Sequence, residues 1–326
     1  MHNELISIIA PCFNVSETLE RYLLSILNQS NKTIELIAVD DGSTDNTADI
    51  LSKYIHIFAE NKMTLRYIYQ DNAGLGSAIN TGLKYVTGDY LCWSDPDDFY
   101  MPESMEKRLS AFYEHPECAV VSSDAYVFNS KDLLHPVKCI TEGLEHRYDP
   151  EQFEYLLREE SHFCAGCHMV RMSDFDQVNP DREIYPARRG QNWQLLLPLY
   201  YRFNRYFLDE PLYAYIVYGN SMSAGDSTQE KELQRWAEHE EIIRQTLKRI
   251  PLTQEESEKY DRLITVRYAT KRLYTAIDYR DKEMIKQQYH ILQEYHADTD
   301  EIRALYKRNI SIGGKVLYKL KDIIGR

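Results

Sequence analysis

The sequence predicts an α/β protein in which a mostly parallel sheet is covered by helices on both faces and is followed by an α-helical C-terminal region. Two observations predict this arrangement. Over roughly the first 125 residues, short apolar runs typical of buried strands alternate with segments whose apolar residues recur at helical spacing. After about residue 225, the segments are amphipathic and helix-like, with few glycines.

Five segments of the first part are predicted to be strands, because each is a short apolar run next to turn-forming residues. In chain order they are residues 5–10, 34–39, 65–69, 90–93 and 119–121. Strands and helices alternate with short loops, so the sheet is expected to be open and mostly parallel.

Helices are predicted where apolar residues lie on one helical face. Ser16 is the expected N-cap of the first helix, and Ser43 or Thr44 that of the second. The other predicted helices are residues 77–86, 103–113, 230–249, 255–277 and 282–295.

The middle of the chain, residues 131–192, is less periodic and is expected to be irregular structure over the sheet, where specificity loops usually lie. The change of character near residue 225 predicts two domains. We place the first at residues 1–225 and the helical C-terminal domain at 226–326.

Composition narrows the class of protein. The formal net charge of -13 argues against nucleic acid as a partner, because phosphates are met by a basic face. No apolar run is long enough to span a bilayer, and no signal peptide is visible. Cys164 and Cys167 form a C-x-x-C pair without a second pair, so zinc or redox chemistry is not expected there. We expect reduced cysteines and a cytoplasmic location.

The last segment, residues 303–326, interleaves seven basic residues and one acid with apolar residues. One interpretation is an interfacial helix that contacts an anionic membrane surface, making the protein peripheral on the cytoplasmic face. The other is a terminal helix that packs its apolar side on the helical domain. The basic bias of this segment in an acidic chain favours membrane contact.

Polar segments follow four of the predicted strands, where each strand ends. They are residues 11–14, 40–45, 70–76 and 94–98. In an open parallel sheet, ligands bind beyond the carboxyl ends of the strands. We therefore expect these four segments to form a single site.

The acids of these segments point to a metal. Carboxylates of Asp40, Asp95, Asp97 and Asp98 on one edge repel one another unless a cation or hydrogen-bond donors offset their charge. A hard divalent cation, Mg²⁺ or Mn²⁺, is commonly held by one or two carboxylates together with water and ligand phosphates. For Asp41 and Asp45, turn formation or helix capping is the alternative.

Three motifs together resemble a known family. Residues 7–14 (SIIAPCFN), 39–45 (VDDGSTD) and 88–98 (GDYLCWSDPDD) are similar, in order and spacing, to the inverting family 2 glycosyltransferases of the GT-A fold. The resemblance implies a GT-A (Rossmann-like) catalytic domain over residues 1–225. It also implies a nucleotide-sugar donor, usually linked to UDP, and a divalent cation.

The resemblance implies roles for individual residues in donor binding. Phe13 would stack on the nucleobase, and Asp40 would hydrogen-bond it. In the D-x-D element, Asp95 would face the ribose, and Asp97 would bind the metal that bridges the diphosphate. The residues implied in nucleotide-sugar binding are Pro11, Phe13, Asn14, Asp40, Gly74, Asn80, Asp95 and Asp97.

The second half departs from the family pattern. Inverting members carry a Glu-Asp pair at a helix start, and its Asp deprotonates the acceptor hydroxyl. The matching residues here are Gln191 and Asn192, and an amide cannot accept a proton at neutral pH. Where a His touches metal or phosphate in some members, this chain has Tyr218.

Three hypotheses remain open for the missing base. Another group could supply it, with candidates upstream at Asp181, Glu183, His168 and Asp174. Gln191 and Asn192 could instead orient acceptor hydroxyls while the leaving group is stabilised. Or the protein could bind a sugar nucleotide without turning it over.

The function predicted is a metal-assisted hexosyl- or N-acetylhexosaminyltransferase that moves a sugar from a nucleoside diphosphate, UDP by resemblance, to a hydroxyl of a glycan or glycolipid. A nucleotidyltransferase is the competing enzyme class, but no glycine-rich basic loop follows the first strand to hold a triphosphate. A non-catalytic sugar-nucleotide-binding subunit is the alternative outside the enzymes.

Overall fold

The computed structural model describes residues 4–162, 164–219 and 228–310. These residues fall into two compact units. The first ends at Gly219 and also includes Gln245–Ile250, and the second comprises the other described residues. The predicted domain boundary near residue 225 lies outside the described residues and stays a prediction.

The first unit is built on a sheet of nine strands within the described residues, in the order β3-β2-β1-β4-β8-β6-β9-β5, with β7 paired to β6. In chain order the strands are Ile6–Cys12 (β1), Ile34–Asp41 (β2), Thr64–Gln70 (β3), Tyr90–Trp93 (β4), Phe99–Tyr100 (β5), Cys118–Asn129 (β6), Lys138–Cys139 (β7), His168–Arg171 (β8) and Asn204–Val217 (β9).

Strands β1 to β4 pair in parallel, and their buried apolar residues agree with the predicted segments. The predicted strand 119–121 lies within β6, which pairs in parallel with β9, but β5, β7, β8 and β9 were not predicted. Strand β8 comes from the middle segment that was expected to be irregular, and it pairs antiparallel with β4 and β6. Its four residues are too few to show a periodicity of their own, and they become a strand because two neighbouring strands satisfy their backbone groups.

Among the described residues, seven helices of the first unit cover the sheet. They are Ser16–Leu27 (α1), Thr47–Glu60 (α2), Leu75–Leu83 (α3), Ser104–Glu114 (α4), Phe153–Leu157 (α5), Met172–Val178 (α6) and Gln191–Arg202 (α7). Helix α3 lies so close to β1 that a Cβ at Gly82 would lie 2.6 Å from Cγ2 of Ile9. A glycine is therefore required at this crossing.

The predicted N-caps of α1 and α2 are wrong. The caps are Val15 and Asn46, and neither makes a side-chain cap hydrogen bond. The free amides at the start of α1 are satisfied from the neighbouring loop, because the Ser16 amide donates to Asp45 (3.0 Å) and the Val15 amide to Thr47 Oγ1 (3.1 Å). A cap supplied by another segment leaves no local sequence signal.

The second unit is helical, as predicted. Its helices include Gln254–Asp278 (α9), Lys282–Glu294 (α10) and Asp300–Ile310 (α11), and Gln229–Leu247 (α8) begins in it. Helix α9 begins with a capping box between Thr253 and Glu256, and Leu273 and Leu292 are fully buried in the core.

Two features of the described helices concern membrane contact. None of the helices in the described ranges is both long enough and apolar enough to cross a bilayer. Of the predicted basic amphipathic tail, only the part up to Ile310 is described, as the end of α11, and residues 311–326 lie outside the described residues.

Candidate functional site

The loops that follow β1 and β2 are fastened to each other. Asn14 adopts a left-handed conformation (φ 52°), and its amide donates to Ser43 Oγ at 3.0 Å. In return, the Thr44 amide donates to Asn14 Oδ1 at 2.8 Å. Asn14 therefore shapes this edge of the sheet, which Pro11 reaches at the end of β1.

Phe13 presents an aromatic face at this edge. Half of its surface is exposed, although its neighbour Cys12 is fully buried. An exposed aromatic ring on a loop held by other contacts is a surface on which a planar ligand can stack.

The two aspartates after β2 have different tasks. Asp40 is buried, and it accepts from the Ser43 amide (2.8 Å) and from the hydroxyl of Tyr67 (3.2 Å). Burial and the charge of Asp40 raise the pKa of Tyr67 to about 12. Asp41 accepts from the amides of Ala73 and Gly74, both at 2.8 Å, so it clamps the loop between β3 and α3. Asp41 therefore has a structural role, through a loop 32 and 33 residues further along the chain and not through a turn of its own segment.

Asn80 and Gly74 act on a later segment of the chain. The side chain of Asn80 donates to the carbonyl of Ile184 (2.8 Å) and accepts from the amide of the same residue (2.7 Å). The Gly76 amide donates to Ala187 (2.9 Å), and Gly74 (φ 88°) lies beside Arg188. Asn80 thus holds the segment 184–188 against α3 through both the oxygen and the nitrogen of its amide.

The acidic loop after β4 carries three carboxyl groups within four residues. Asp95 and Asp97 are partly exposed and Asp98 is buried. Burial, and then the charge of Asp97, raises the pKa of Asp95 to about 7. Burial also raises the pKa of Asp97, and burial with repulsion from Asp97 and Asp95 raises that of Asp98.

This arrangement fits a cation that a ligand completes. Within the described ranges, no group of three or more His, Cys, Asp or Glu side chains is placed to hold a metal by itself. Raised pKa values in a cluster of carboxyl groups mean that negative charge is unfavourable there, and a divalent cation would relieve that cost. Mg²⁺ and Mn²⁺ need only one or two carboxylates when phosphates and water fill the remaining positions. Asp97 and Asp95 could hold such an ion.

Strand β9 holds the acidic loop from the other side. The hydroxyl of Tyr213 donates to the carbonyl of Asp95 at 3.3 Å, and the amide of Ile216 donates to Asp98 Oδ1 at 2.7 Å. The hydroxyl of Tyr218 donates to the carbonyl of Asp97 at 3.1 Å. Asp98 is thereby a supporting residue of the loop.

The start of α7 meets the end of β4. Gly190 is left-handed (φ 77°) before the helix, and Trp93 Nε1 donates to Asn192 Oδ1 at 2.6 Å. An indole N–H is only a donor, so the oxygen of the amide must face it. Because Trp93 lies two residues before Asp95, the structure brings Asn192 and the buried Gln191 to the acidic loop.

The alternative bases are not brought there. Asp181 and Glu183 lie near Arg249. Burial lowers the pKa of Arg249, and the negative charges of these two residues oppose that effect. Their neighbour Arg182 donates to the carbonyl of Val86, which lies between α3 and β4 at the amino edge of the sheet. Asp181, predicted as a catalytic residue, therefore lies at the opposite edge from the acidic loop. It follows α6, which begins where the end of β8 pairs with the start of β4.

The other two candidates are engaged in the fold. Asp174 forms an ion pair with Arg171 at 2.9 Å. His168 is fully buried and shares a 2.8 Å hydrogen bond with Ser122. Burial and nearby positive charge lower the pKa of His168, so its imidazole is neutral and has no access to an acceptor.

Sequence reasoning missed Arg21, Trp93 and Tyr213 as residues of the site. Arg21 lies on α1 and donates to the carbonyl of Asp97 at 2.5 Å. Arg21 and Tyr213 bind main-chain carbonyls of the loop from distant parts of the chain, and Trp93, two residues before Asp95, binds the distant side chain of Asn192. No sequence signal marks such contacts.

The fold and the site define the class of this protein. A sheet with four parallel strands, an aromatic platform at its carboxyl edge and an acidic loop after β4 is the GT-A arrangement. A family model described as "Glycosyl transferase family 2" matches residues 7–178, more than half of the 326-residue chain. The chain belongs to this family.

Curated relatives are similar over parts of the chain. "Glycosyltransferase GlyA" of Streptococcus pneumoniae is 34% identical over 130 residues, 40% of this chain and 18% of the relative. An uncharacterized glycosyltransferase of Haemophilus influenzae is 40% identical over 110 residues, 34% of this chain and 43% of the relative. "Putative glycosyltransferase EpsE" of Bacillus subtilis is 29% identical over 210 residues, 64% of this chain and 71% of the relative. The chain thus spans less than half of the first two relatives.

Solved structures share the fold. Staphylococcus aureus TarS 1-349 in complex with UDP-GlcNAc has a TM-score of 0.54 and 17% identity, covering 94% of this chain and 90% of that one. The mannosyltransferase PcManGT of Pyrobaculum calidifontis, in complex with GDP-Man and Mn²⁺, has a TM-score of 0.54 and 13% identity, covering 99% and 88%.

Proposed function

We propose that this protein is a metal-assisted, inverting glycosyltransferase that moves a hexose or N-acetylhexosamine from a UDP-sugar to a hydroxyl of a glycan or glycolipid. The observation that carries the proposal is the acidic loop of Asp95, Asp97 and Asp98 at the carboxyl end of β4. Its raised pKa values mark a place where a cation and a diphosphate would be stabilised.

The nucleoside would bind at the same edge of the sheet, after β1 and β2, whereas the acidic loop follows β4. Phe13 would stack on the base, and Pro11 would line the pocket beside it. Asp40 already accepts two hydrogen bonds within the protein, but a carboxylate has about four acceptor positions. Two of these are not used by the two hydrogen bonds, and one of them would accept from a donor group of the base. UDP is favoured by the family resemblance and agrees with the ligand of TarS 1-349, although PcManGT binds GDP-Man.

Asp97, with Asp95 beside it, would hold Mn²⁺ or Mg²⁺. Such an ion supplies charge neutralisation for a diphosphate leaving group. The protein's own contribution is to hold the two carboxyl groups at the edge of the sheet. The bonds from Tyr213 and Ile216 to the loop serve this purpose.

For the acceptor, we propose that Gln191 and Asn192 orient the attacking hydroxyl. The amide at position 192 is no proton acceptor. The distance of Asp181 from the acidic loop and the burial of His168 favour catalysis by positioning and leaving-group stabilisation over a substitute base.

A second candidate function is a non-catalytic subunit that binds a sugar nucleotide. The observation in its favour is the Gln191–Asn192 pair at the place where inverting members carry Glu-Asp. Such a subunit would bind UDP-sugars with Mn²⁺ but release no UDP in the presence of any acceptor.

We also propose peripheral membrane contact through residues 303–326 and a cytoplasmic location. The support is the sequence pattern of seven bases among apolar residues. Co-sedimentation of the full chain with vesicles, with and without anionic lipid, tests this part separately. Equal sedimentation with both vesicle types would contradict it.

The decisive experiment begins with a screen of nucleotide-sugars for thermal stabilisation with and without Mn²⁺. A donor at a hundredfold excess over its Kd should stabilise the fold by about 2.7 kcal/mol. The donor found is then used in a UDP-release assay with acceptor glycans. Asp97→Ala should abolish the Mn²⁺-dependent part of binding and turnover, whereas Asp49→Ala on α2 should change neither. Unchanged turnover in Asp97→Ala would contradict the metal assignment.

A further inference from the structure

A cluster of hydrogen bonds around the carbonyl of Asp97 joins three segments that are distant in sequence. Arg21 Nη2, on α1, donates to the Asp97 carbonyl oxygen at 2.5 Å and to the hydroxyl of Tyr218 at 2.9 Å. That hydroxyl, beyond the end of β9, donates its own proton to the same carbonyl oxygen at 3.1 Å. Each member of the cluster contacts the other two.

The cluster holds the acidic loop in one orientation. A carbonyl oxygen with two donors cannot rotate freely, so the peptide plane between Asp97 and Asp98 is held. The next side chain is held as well, because Asp98 Oδ1 accepts from the Ile216 amide at 2.7 Å. The carboxyl of Asp98 is therefore buried, while that of Asp97 stays partly exposed at the edge of the sheet.

Arg21 has no competing task. Among the described residues, the hydrogen bonds of its guanidinium run from Nη2 to the Asp97 carbonyl and the Tyr218 hydroxyl, and its buried Nε has no hydrogen-bond partner. The guanidinium lies 5.6 Å from the ring centre of Phe99, which directly follows the acidic loop. A charged side chain that is partly buried against a main-chain carbonyl costs desolvation, and purely structural packing at this place needs no charge.

The position of the charge also matters. The guanidinium binds the main-chain carbonyl of Asp97 and not its carboxylate, so the carboxylate itself stays available to a ligand. An arginine in a direct ion pair with this carboxylate would compete with a metal, and this arrangement avoids that competition.

We propose that Arg21 and Tyr218 are positioning residues that hold Asp97 for a divalent cation, and that Mn²⁺ affinity depends on both of them. The inference rests on the proposed function. The inference goes beyond the proposed function because two residues outside the acidic loop would affect how tightly the metal binds with the nucleotide.

The test measures Mn²⁺ binding at saturating UDP, by the electron paramagnetic resonance signal of free Mn²⁺, together with UDP affinity in EDTA. Tyr218→Phe removes only the hydroxyl and should weaken Mn²⁺ binding by about threefold to tenfold, the usual size of one lost hydrogen bond. Arg21→Met removes the donor and the charge and should weaken it tenfold or more. UDP affinity without metal should be unchanged in both.

Two controls match these variants. Arg171→Met removes a guanidinium that forms an ion pair with Asp174 and lies 5.2 Å from the ring centre of Phe112, at the amino end of β4. Tyr148→Phe removes a hydroxyl that donates to Asp209 at 2.5 Å. Both should leave Mn²⁺ binding at the wild-type value, even if the unfolding temperature falls.

A double variant and a conservative variant sharpen the result. Since the Tyr218 hydroxyl is oriented by Arg21, Tyr218→Phe should weaken Mn²⁺ binding less in the Arg21→Met variant than in the wild type. Arg21→Lys keeps one donor and the charge, so it should recover part of the affinity. Should Arg21→Met fail to fold, Tyr218→Phe and Arg21→Lys carry the test.

The outcomes separate the two proposals. If the wild-type protein binds neither UDP nor Mn²⁺ with UDP, the proposed function is wrong, and the inference falls with it. If the wild type binds both and Tyr218→Phe and Arg21→Lys keep wild-type Mn²⁺ affinity, only the positioning role is overturned. An equal loss in the two control variants would also overturn it.

Discussion

Trp93 and Asn192 are joined by a 2.6 Å hydrogen bond from the indole Nε1 to the amide Oδ1. The bond spans 99 residues of sequence and fastens the start of α7 to the last residue of β4. It brings the helix start that the sequence singled out next to the acidic loop. It also determines which end of the Asn192 side chain faces the sheet.

Asn192→Asp should be accepted by the fold, because the indole N–H can donate to a carboxylate as well as to an amide oxygen. The new carboxylate would be a proton acceptor beside the acidic loop, so kcat in the UDP-release assay should rise tenfold or more. Asn309→Asp, the same change on α11 in the second unit, should leave kcat unchanged. A fall in kcat with intact folding would contradict the assigned position of residue 192.

Trp93→Phe should remove the hydrogen bond to Asn192 and keep an aromatic ring near His168, which lies 6.0 Å from the indole ring centre. Because the amide at 192 then loses the bond that orients its oxygen, kcat should fall severalfold while the donor KM stays the same. Tyr90→Phe, at the first residue of the same strand, is the control. Equal kinetics in Trp93→Phe and the wild type would mean that the orientation of residue 192 does not affect turnover.

Asp41→Asn should destabilise the first unit by about 1–3 kcal/mol, since a buried carboxylate that accepts from two backbone amides becomes a neutral amide. The loop between β3 and α3 would loosen, and the UDP affinity should fall with it. Chemical denaturation and UDP titration measure the two effects. Asp71→Asn on the same loop, where the side chain is exposed, should show neither.

His162 and His168 should each contribute a loss of stability to the first unit as pH is lowered below about 6.5, opposite in sign to the contribution of the raised pKa values of Asp95, Asp97 and Asp98. Burial, and then the charges of Arg205 and Arg108, lower the pKa of His162 to about 3, and His168 stacked on it is lowered as well. The unfolded chain therefore binds protons in this window that the folded chain does not. Each such histidine costs up to about 1.4 kcal/mol per pH unit between its unfolded and folded pKa values.

His162→Phe tests this pH dependence. The wild type should lose more stability, or gain less, than His162→Phe between pH 6.5 and 4, because a phenyl ring has no proton to bind. His56→Asn, at an exposed position of α2, should keep the wild-type slope. The prediction is contradicted if the unfolding free energies of His162→Phe and the wild type change equally over this range.

Sequence alone predicted the elements that carry their own periodicity. Strands β1 to β4 and helices α9 and α10 were predicted to within two residues at each end, because apolar residues repeat along them at the spacing of their element. The same patterns placed the segments of Phe13, Asp40 and Asp97 at one edge, since parallel strands end together.

The motifs also determined the family, because their residue types and spacing are a property of the chain before it folds. What they could not determine is which polar groups remain available for a ligand. Asn80 and Asn14 were predicted to bind the nucleotide, and in the structure each is bonded to the backbone of a neighbouring segment. Both stay site residues by prediction, with a structural task that is now evident.

Tertiary structure alone decided how the acidic loop is held and which candidates surround it. Arg21 and Tyr218 contact Asp97 from 76 and 121 residues away, and Asn192 contacts Trp93 from 99 residues away. Asp181 lies at the other edge of the sheet. Contacts between residues so far apart leave no local pattern, because only the folded sheet, in which β9 pairs with β5 directly after the acidic loop, brings their segments together. The acids and their order are thus a property of the sequence, whereas the direction in which Asp97 faces is a property of the fold.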